Sequence, residues 1–405
     1  MAHLVTAKKL RKELKLSNRT CWKTEPNLLS QQLKSLQESK IKILDLSESN
    51  PTQCRFDYLN SELLASLTRP SNLCYEPHPN GLKEARTAIA SDYLKKGISI
   101  DLERIFLTAS TSEAYSFLFR LLANPGDRIL VPQPSYPLFE FLADLNDVSL
   151  DSYKLFYEDG IWQIDFESIL ANCRSETKAI MLVHPNNPTG SFVKKKEFQK
   201  ILKIAEEKSL ALISDEVFSD YSFTDDSERL LSLAVNHEVL TFTLDGISKA
   251  FGLPQMKLAW FIANGPKEML SSALKRLEII CDTYLSVNTP AQAALSSWFQ
   301  HKEKIQDEIK SRIIQNRTFL LNQLKQPHSA TCLQSEGGWY AILRLPKIQT
   351  EEEWALELLE KDHVYAYPGY FFDFESQAHI ILSLLPHPTI FQEGVLRILA
   401  RIKNK

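Results

Sequence analysis

Residues 178–190 read KAIMLVHPNNPTG, an unbroken apolar run that ends in a turn of His, Pro, Asn and Gly. An apolar run of this length, closed by turn residues, reads as a strand buried on both faces, Lys178–Val183. Working outward, strands of the same kind are expected at Arg104–Thr108, Arg128–Val131, Val148–Leu155, Leu210–Ser214, Val239–Leu244 and Lys257–Ala263. Helical periods at Ser112–Ala123, Tyr136–Leu145 and Lys194–Lys208 fall between several of them. Strands and helices alternating at this spacing make βαβ units, hence an α/β fold around a mostly parallel, seven-stranded sheet.

The flanks differ from this core. A strand at Ile41–Leu46 and a helix at Leu82–Lys95 lead into it, and a helical tract from Pro266 to Leu324 leaves it, broken near Asn288-Thr289-Pro290. Residues 331–405 then read as strands, a helix at Thr350–Leu359, strands near Val364 and His379–Leu384, and a last helix. The expected division is an N-terminal arm and small-domain segment over 1–60, a large domain over 61–290, and a smaller α+β domain completed by 291–405. No internal repeat or low-complexity segment interrupts it.

Composition narrows the function classes. A chain of 405 residues has room for two or three domains and a large core, so neither disulfides nor metals are needed to hold it. A formal charge of −3 argues against nucleic acid as the main partner, since phosphate binding needs a basic face. No apolar run approaches the roughly 18 residues of a membrane span. The six cysteines (Cys21, Cys54, Cys74, Cys173, Cys281 and Cys332) contain no CxxC pair, which excludes the usual zinc spacings and suits free thiols in a reducing cytoplasm. His184, His237 and His363 likewise show no metal-ligand spacing, and His184 reads as a turn residue. Between Met1 and Lys23 the basic residues Lys8, Lys9, Arg11, Lys12, Lys15, Arg19 and Lys23 face a single acid, Glu13, and read as a solvated arm.

Four strand ends carry chemistry. Ser110-Thr111-Ser112 opens a helix, whose free amides and dipole make an anion site, although Ser and Thr cap most helices without binding anything. Asn187 follows the next apolar strand, Asp215 ends the one after, and Lys249 follows a fourth in Gly246-Ile247-Ser248-Lys249. Taken singly, each is a turn residue or a solvated charge. Taken together, they sit where open parallel sheets bind ligands, beyond the carboxyl ends of the strands.

With those residues quoted, the chain from Leu44 to about Leu385 resembles the fold-type I pyridoxal-phosphate enzymes, specifically the class I and II aminotransferases related to aspartate aminotransferase. The spacing Ser-Lys-x4-Pro-x2-Lys from Ser248 to Lys257 is close to that family's pattern. The resemblance implies that pyridoxal 5′-phosphate is held as a Schiff base on Lys249, which also moves the proton that carries an amino group from donor to keto acid through a pyridoxamine form. It gives Asp215 to the pyridine nitrogen, Asn187 to the phenolate oxygen, and Tyr136 to the ring face. The phosphate falls to Ser110, Thr111, Ser112, Ser248 and Lys257. Tyr75 matches a tyrosine that reaches the phosphate of the neighbouring subunit, which implies a homodimer.

Three positions depart from the family. Lys257 stands where arginine is usual, replacing a bidentate fork with a point charge. Phe218 replaces a tyrosine that donates to the phenolate. Ile381 stands where many members place the arginine that clamps a substrate carboxylate. Arg55 is a candidate substitute, and Glu48, in the loop Leu46-Ser47-Glu48-Ser49-Asn50-Pro51, is a candidate to receive a cationic amine instead. The fold alone does not separate transamination from lyase, decarboxylase or cyclase chemistry on the same cofactor, nor from a binding protein that has lost catalysis.

The absence of a tyrosine hydroxyl at Phe218 should raise the pKa of the Schiff base, because one hydrogen bond to its charged partner is missing. Titrating the visible absorbance of the holoenzyme should therefore show a lower midpoint in Phe218→Tyr than in the wild type; equal midpoints would refute the assignment.

Overall fold

Burial on both faces shapes the central layer. The computed structural model describes residues 15–58, 61–285, 287–326, 329–375 and 378–405; the basic positions Lys8, Lys9, Arg11 and Lys12, with Glu13, lie outside them. Strand β1 (Leu44–Asp45) precedes the central sheet, which holds β2 (Ile105–Thr108), β3 (Arg128–Gln133), β4 (Ser149–Glu158), β5 (Ile161–Ile164), β6 (Thr177–Val183), β7 (Ala211–Asp215), β8 (Thr241–Gly246) and β9 (Ala259–Asn264). Every residue of β2, β7, β8 and β9 is buried, as a sheet covered on both faces requires.

The order across the sheet is β2-β9-β8-β7-β6-β3-β4-β5. Strands β4, β3, β6, β7 and β8 are parallel neighbours, β9 runs against both β8 and β2, and β5 returns from β4 as a hairpin. All seven expected strands are present, and β5 makes the sheet eight-stranded rather than seven. One face packs on the helices Thr111–Leu122, Phe139–Leu145 and Lys267–Tyr284. The other packs on Phe166–Asn172 and Lys195–Lys208, with Lys83–Lys95 and the long Thr289–Gln323 helix toward the β2 edge. The helix expected from Tyr136 starts only at Phe139, which leaves Tyr136 in the preceding loop.

The second layer is an antiparallel sheet of β10 (Thr331–Leu333), β11 (Tyr340–Leu345), β13 (Tyr367–Pro368) and β14 (Ala378–Ser383), ordered β10-β11-β14-β13. Strand β12 (Val364–Tyr365) pairs in parallel with β1, so both ends of the chain meet in this layer. The layers are stitched by backbone contacts, among them Ser135 N donating to Phe372 O (3.0 Å) and Glu336 N to Gly190 O (3.1 Å). Gly190 has a φ of +69°, and a Cβ there would lie 2.3 Å from Gly337 O, so only glycine allows the approach.

A buried ionic cluster locks the long helix to the sheet. Lys302 Nζ lies 2.6 Å from Asp92 and 2.9 Å from Asp220, and Lys96 Nζ lies 2.7 Å from Asp220. Gln306 donates to Asp220 (2.8 Å) and to Ala250 O (3.1 Å), linking the cluster to the segment that carries Lys249. Burial alone would raise the Asp220 carboxyl, but Lys302 and Lys96 outweigh it and hold it below the usual carboxylate range. A depressed folded-state pKa stabilises the fold above the unfolded value of about 4, and that stability is lost as pH falls through it. Lys302→Ala leaves Asp92 without its cation and Asp220 with Lys96 alone, and should cost about 3 kcal/mol in urea unfolding at neutral pH. The wild type should lose part of this margin below about pH 4.

Candidate active site

The parallel arrangement brings the carboxyl ends of β2, β3, β6, β7 and β8 to one side of the sheet. At the end of β2, Ser110 caps the Thr111–Leu122 helix: its hydroxyl accepts from Glu113 N (3.1 Å), and Glu113 Oε2 accepts from Ala109 N (2.7 Å). The Ser110 hydroxyl is therefore engaged in the cap. The amides of Thr111 and Ser112, in the first turn, lack an intrahelical acceptor and remain available to an anion.

One turn along the same helix stands Tyr115, a residue the sequence reading missed. Its buried hydroxyl donates to Asp215 Oδ2 at 2.6 Å, while Val217 N donates to Asp215 Oδ1 at 3.1 Å. Burial raises the Asp215 carboxyl, and these two donors together with the Lys249 charge oppose that rise. Tyr136, in the loop after β3, is 39% exposed, so much of its ring is uncovered, and its hydroxyl feels the Asp215 charge.

The β6 turn separates structure from function. Both nitrogens of buried His184 are committed: Nε2 donates to Leu230 O (2.9 Å) and Nδ1 accepts from Val193 N (3.0 Å). Burial pushes this imidazole down to about 4, so it is neutral and structural. Three residues on, Asn187 is buried with its Oδ1 lacking any protein partner. At the end of β7, Glu216 takes Ser214 Oγ (2.9 Å) and Leu233 N (2.8 Å) on Oε1, so it braces the fold on the side opposite Asp215.

Lys249 follows β8 directly. Its Nζ lies 4.8 Å from the Trp339 ring centre and 5.4 Å from that of Phe218, and its carbonyl accepts from Tyr221 Oη (2.6 Å). Desolvation by these walls lowers the amine to about 8, against the opposing pull of Asp215. An amine so depressed is neutral often enough at physiological pH to act as nucleophile and proton carrier. Trp339, a second residue missed from sequence, follows Gly337-Gly338 and is fully buried with its Nε1 unpartnered.

The remaining candidates spread around this cluster. Ser248 is half-buried beside Lys249, and Lys257 is exposed at the end of the 3-10 turn Pro254–Met256. Tyr75 is 71% exposed on a loop. Glu48 is half-buried, and its Oε1 accepts from Asn50 N (2.7 Å). Ile381 is fully buried in β14. Arg55 is exposed and makes no hydrogen bond or ion pair with the cluster among the described residues.

A depressed lysine, a buried carboxylate fixed by a tyrosine, a buried asparagine whose side-chain NH2 makes no hydrogen bond among the described residues, and an open helix start fit pyridoxal phosphate: amine for aldehyde, acid for ring nitrogen, NH2 for phenolate, helix for phosphate. The family model for "Aminotransferase class I and II" matches residues 42–389. The chain belongs to this family. It is therefore a pyridoxal-phosphate-dependent aminotransferase, and its substrates are an amino donor and a keto acid. The glutamate-pyruvate aminotransferase AlaA of Haemophilus influenzae is 29% identical over 373 residues, covering 90% of this chain and 91% of that one. The alanine aminotransferase of Mycobacterium bovis is 26% identical, covering 85% of this chain and 82% of its own. Among solved structures, the alanine aminotransferase of Pyrococcus furiosus superposes with a TM-score of 0.87 at 24% identity, covering 96% of this chain and all of that one.

A neutral amine attacks an aldehyde and an ammonium does not, so capture of pyridoxal phosphate through Lys249 should quicken as pH rises through about 8 and then level off. Stopped-flow absorbance would show it, and a rate flat from pH 6 to 9 would contradict it. Tyr115→Phe removes a donor from a buried carboxylate and should weaken cofactor binding by about tenfold, read by equilibrium titration of the apoenzyme.

Proposed function

We propose that Lys249 carries the cofactor and transfers the proton of the transamination, and the observation that carries this is its desolvated amine at a strand end within the field of buried Asp215. When bound, pyridoxal phosphate supplies an aldehyde and an electron-withdrawing ring. Asp215, held by Tyr115 and Val217, keeps a proton at the ring nitrogen. Asn187 donates to the ring oxygen, and Tyr136 covers the ring. The Thr111 and Ser112 amides and hydroxyls bind the phosphate, together with the Ser110 backbone, Ser248 and Lys257. The Lys249 amine would hold the cofactor and, once released, would serve as the base that moves the proton of the transfer.

On the same reading the active unit is a homodimer. Tyr75 is exposed beside a groove that includes Leu285 and Val287, and a partner's Tyr75 would complete each phosphate site. The chain divides at about 60 and 290, the small domain being built from both ends. The six cysteines are all unpaired, which supports a reducing, cytoplasmic setting. No helix among the described residues is long and apolar enough to cross a membrane.

Lys249→Ala should abolish both the visible band of the bound cofactor and amino transfer, while leaving the unfolding midpoint of the apoenzyme within a few degrees of wild type. A variant that kept its band would place the attachment elsewhere. Analytical ultracentrifugation should give a dimer, and a fully active monomer would remove Tyr75 from the site.

A further inference from the structure

The loop that carries Glu48 is anchored at its root. Leu46 N donates to Tyr365 O (2.8 Å), and Ser383 N donates to Leu46 O (2.7 Å), which seats the loop between β12 and the end of β14. In the ladder, Ile381 lies opposite Ile342 on one side and Tyr367 on the other, and Ser383 lies opposite Tyr340. Opposed residues share a face, so Tyr340, Tyr367 and Ile381 stand on the same surface of the small sheet. Tyr340 turns that surface toward the cofactor side, its ring centre 6.4 Å from that of Phe218.

Glu48 sits between Ser47, whose hydroxyl donates to Asp45 Oδ1 (2.7 Å), and Ser49, in the loop whose root lies against this surface. The charges acting on the Tyr340 and Tyr367 phenols are carboxylates, Glu48 on both and Asp45 on Tyr367. Arg344 and His379 lie on this face one opposed pair beyond Ile342 and Ile381, toward the far end of the strands. At the position that faces Tyr367 there is only the buried hydrocarbon of Ile381.

A carboxylate brought to this wall would lose its water and meet Glu48, with no donor fork to receive it. A cation would meet a carboxylate, phenol oxygens and aromatic faces. We infer that the amino donor is an aliphatic diamine: one amine reacts at Lys249, and the other, charged, is held by Glu48 against Tyr340 and Tyr367. This rests on transamination at Lys249. In the overall exchange the diamine's C–N carbon becomes an aldehyde, oxidised by two electrons. The keto acid takes the amino group and the same two electrons and becomes an amino acid.

The test is a single-turnover comparison with purified holoenzyme, following loss of the visible cofactor band on mixing with putrescine, cadaverine, alanine or glutamate. Putrescine or cadaverine should convert the enzyme at least about tenfold more efficiently than either amino acid. Glu48→Gln should lower the diamine rate by about tenfold with no matching loss for alanine, and Glu48→Asp should recover part of it. The unfolding midpoint and cofactor band of each variant show that it is folded and loaded. Faster conversion by alanine or glutamate overturns the inference and leaves transamination standing. So does a Glu48→Gln enzyme with an unchanged diamine rate. If no donor converts the loaded wild type, the inference and the role of Lys249 in transamination fall together.

Discussion

A carboxylate without water is the constraint on which this molecule turns. Asp215 ends a strand whose every residue is buried, and its charge is supported by a tyrosine hydroxyl, a backbone amide and a lysine across the strand ends. Such a group is costly to bury and is tolerated only when each lone pair has a donor. These supports come from different parts of the chain: two donors, Tyr115 from the helix after β2 and Val217 from the turn after β7, and the Lys249 charge from the end of β8. Holding Asp215 thus fixes three strand ends relative to one another, and the same fixation aligns the groups that receive the cofactor.

The ionic cluster around Lys302 does related work one layer deeper. It gathers Asp92, Asp220 and Lys96, and through Gln306 it reaches the carbonyl of Ala250, next to Lys249. Tyr221 meets the Lys249 carbonyl from the same segment as Asp220. The reactive amine is therefore carried on a backbone gripped from below while its side chain is dried from above by Trp339 and Phe218. Rigidity beneath and an apolar wall above are what a lysine needs to be both well placed and partly neutral.

Much of this was legible in the sequence, for identifiable reasons. Strands buried on both faces leave long apolar runs, so β6, β7 and β8 were located to within a residue or two of their ends, and Asn187, Asp215 and Lys249 fell at those ends. Strand β5 escaped because Ile161–Ile164 is short and alternates exposed with buried positions. The helix expected from Tyr136 begins only at Phe139, three residues later, which leaves Tyr136 in the preceding loop. Tyr115 was hidden by its own periodicity: in an amphipathic helix a buried tyrosine looks like core until its hydroxyl is seen to meet Asp215. Ser110 shows the reverse, a candidate ligand whose hydroxyl turns inward to cap its own helix. Arg55 was reached by elimination from its place in the chain, and an exposed residue of positive φ gives no geometric support to that choice.

The close approach of Gly190 to Gly337 has a mechanical side. There the turn bearing Asn187 and the segment leading to Trp339 touch backbone to backbone, joined by Glu336 N to Gly190 O, while Phe223 N to Glu336 O and Gly338 N to Tyr221 O tie the same segment to the stretch after Asp220. Side chains can slide and repack, whereas a run of amide bonds with nothing between the chains behaves as a hinge pin. Rotation about that line keeps Asn187 and Trp339 in register, and separation along it breaks the bonds one after another. The two layers are pinned by backbone there, and Ser135 N to Phe372 O pins them a second time beside Tyr136.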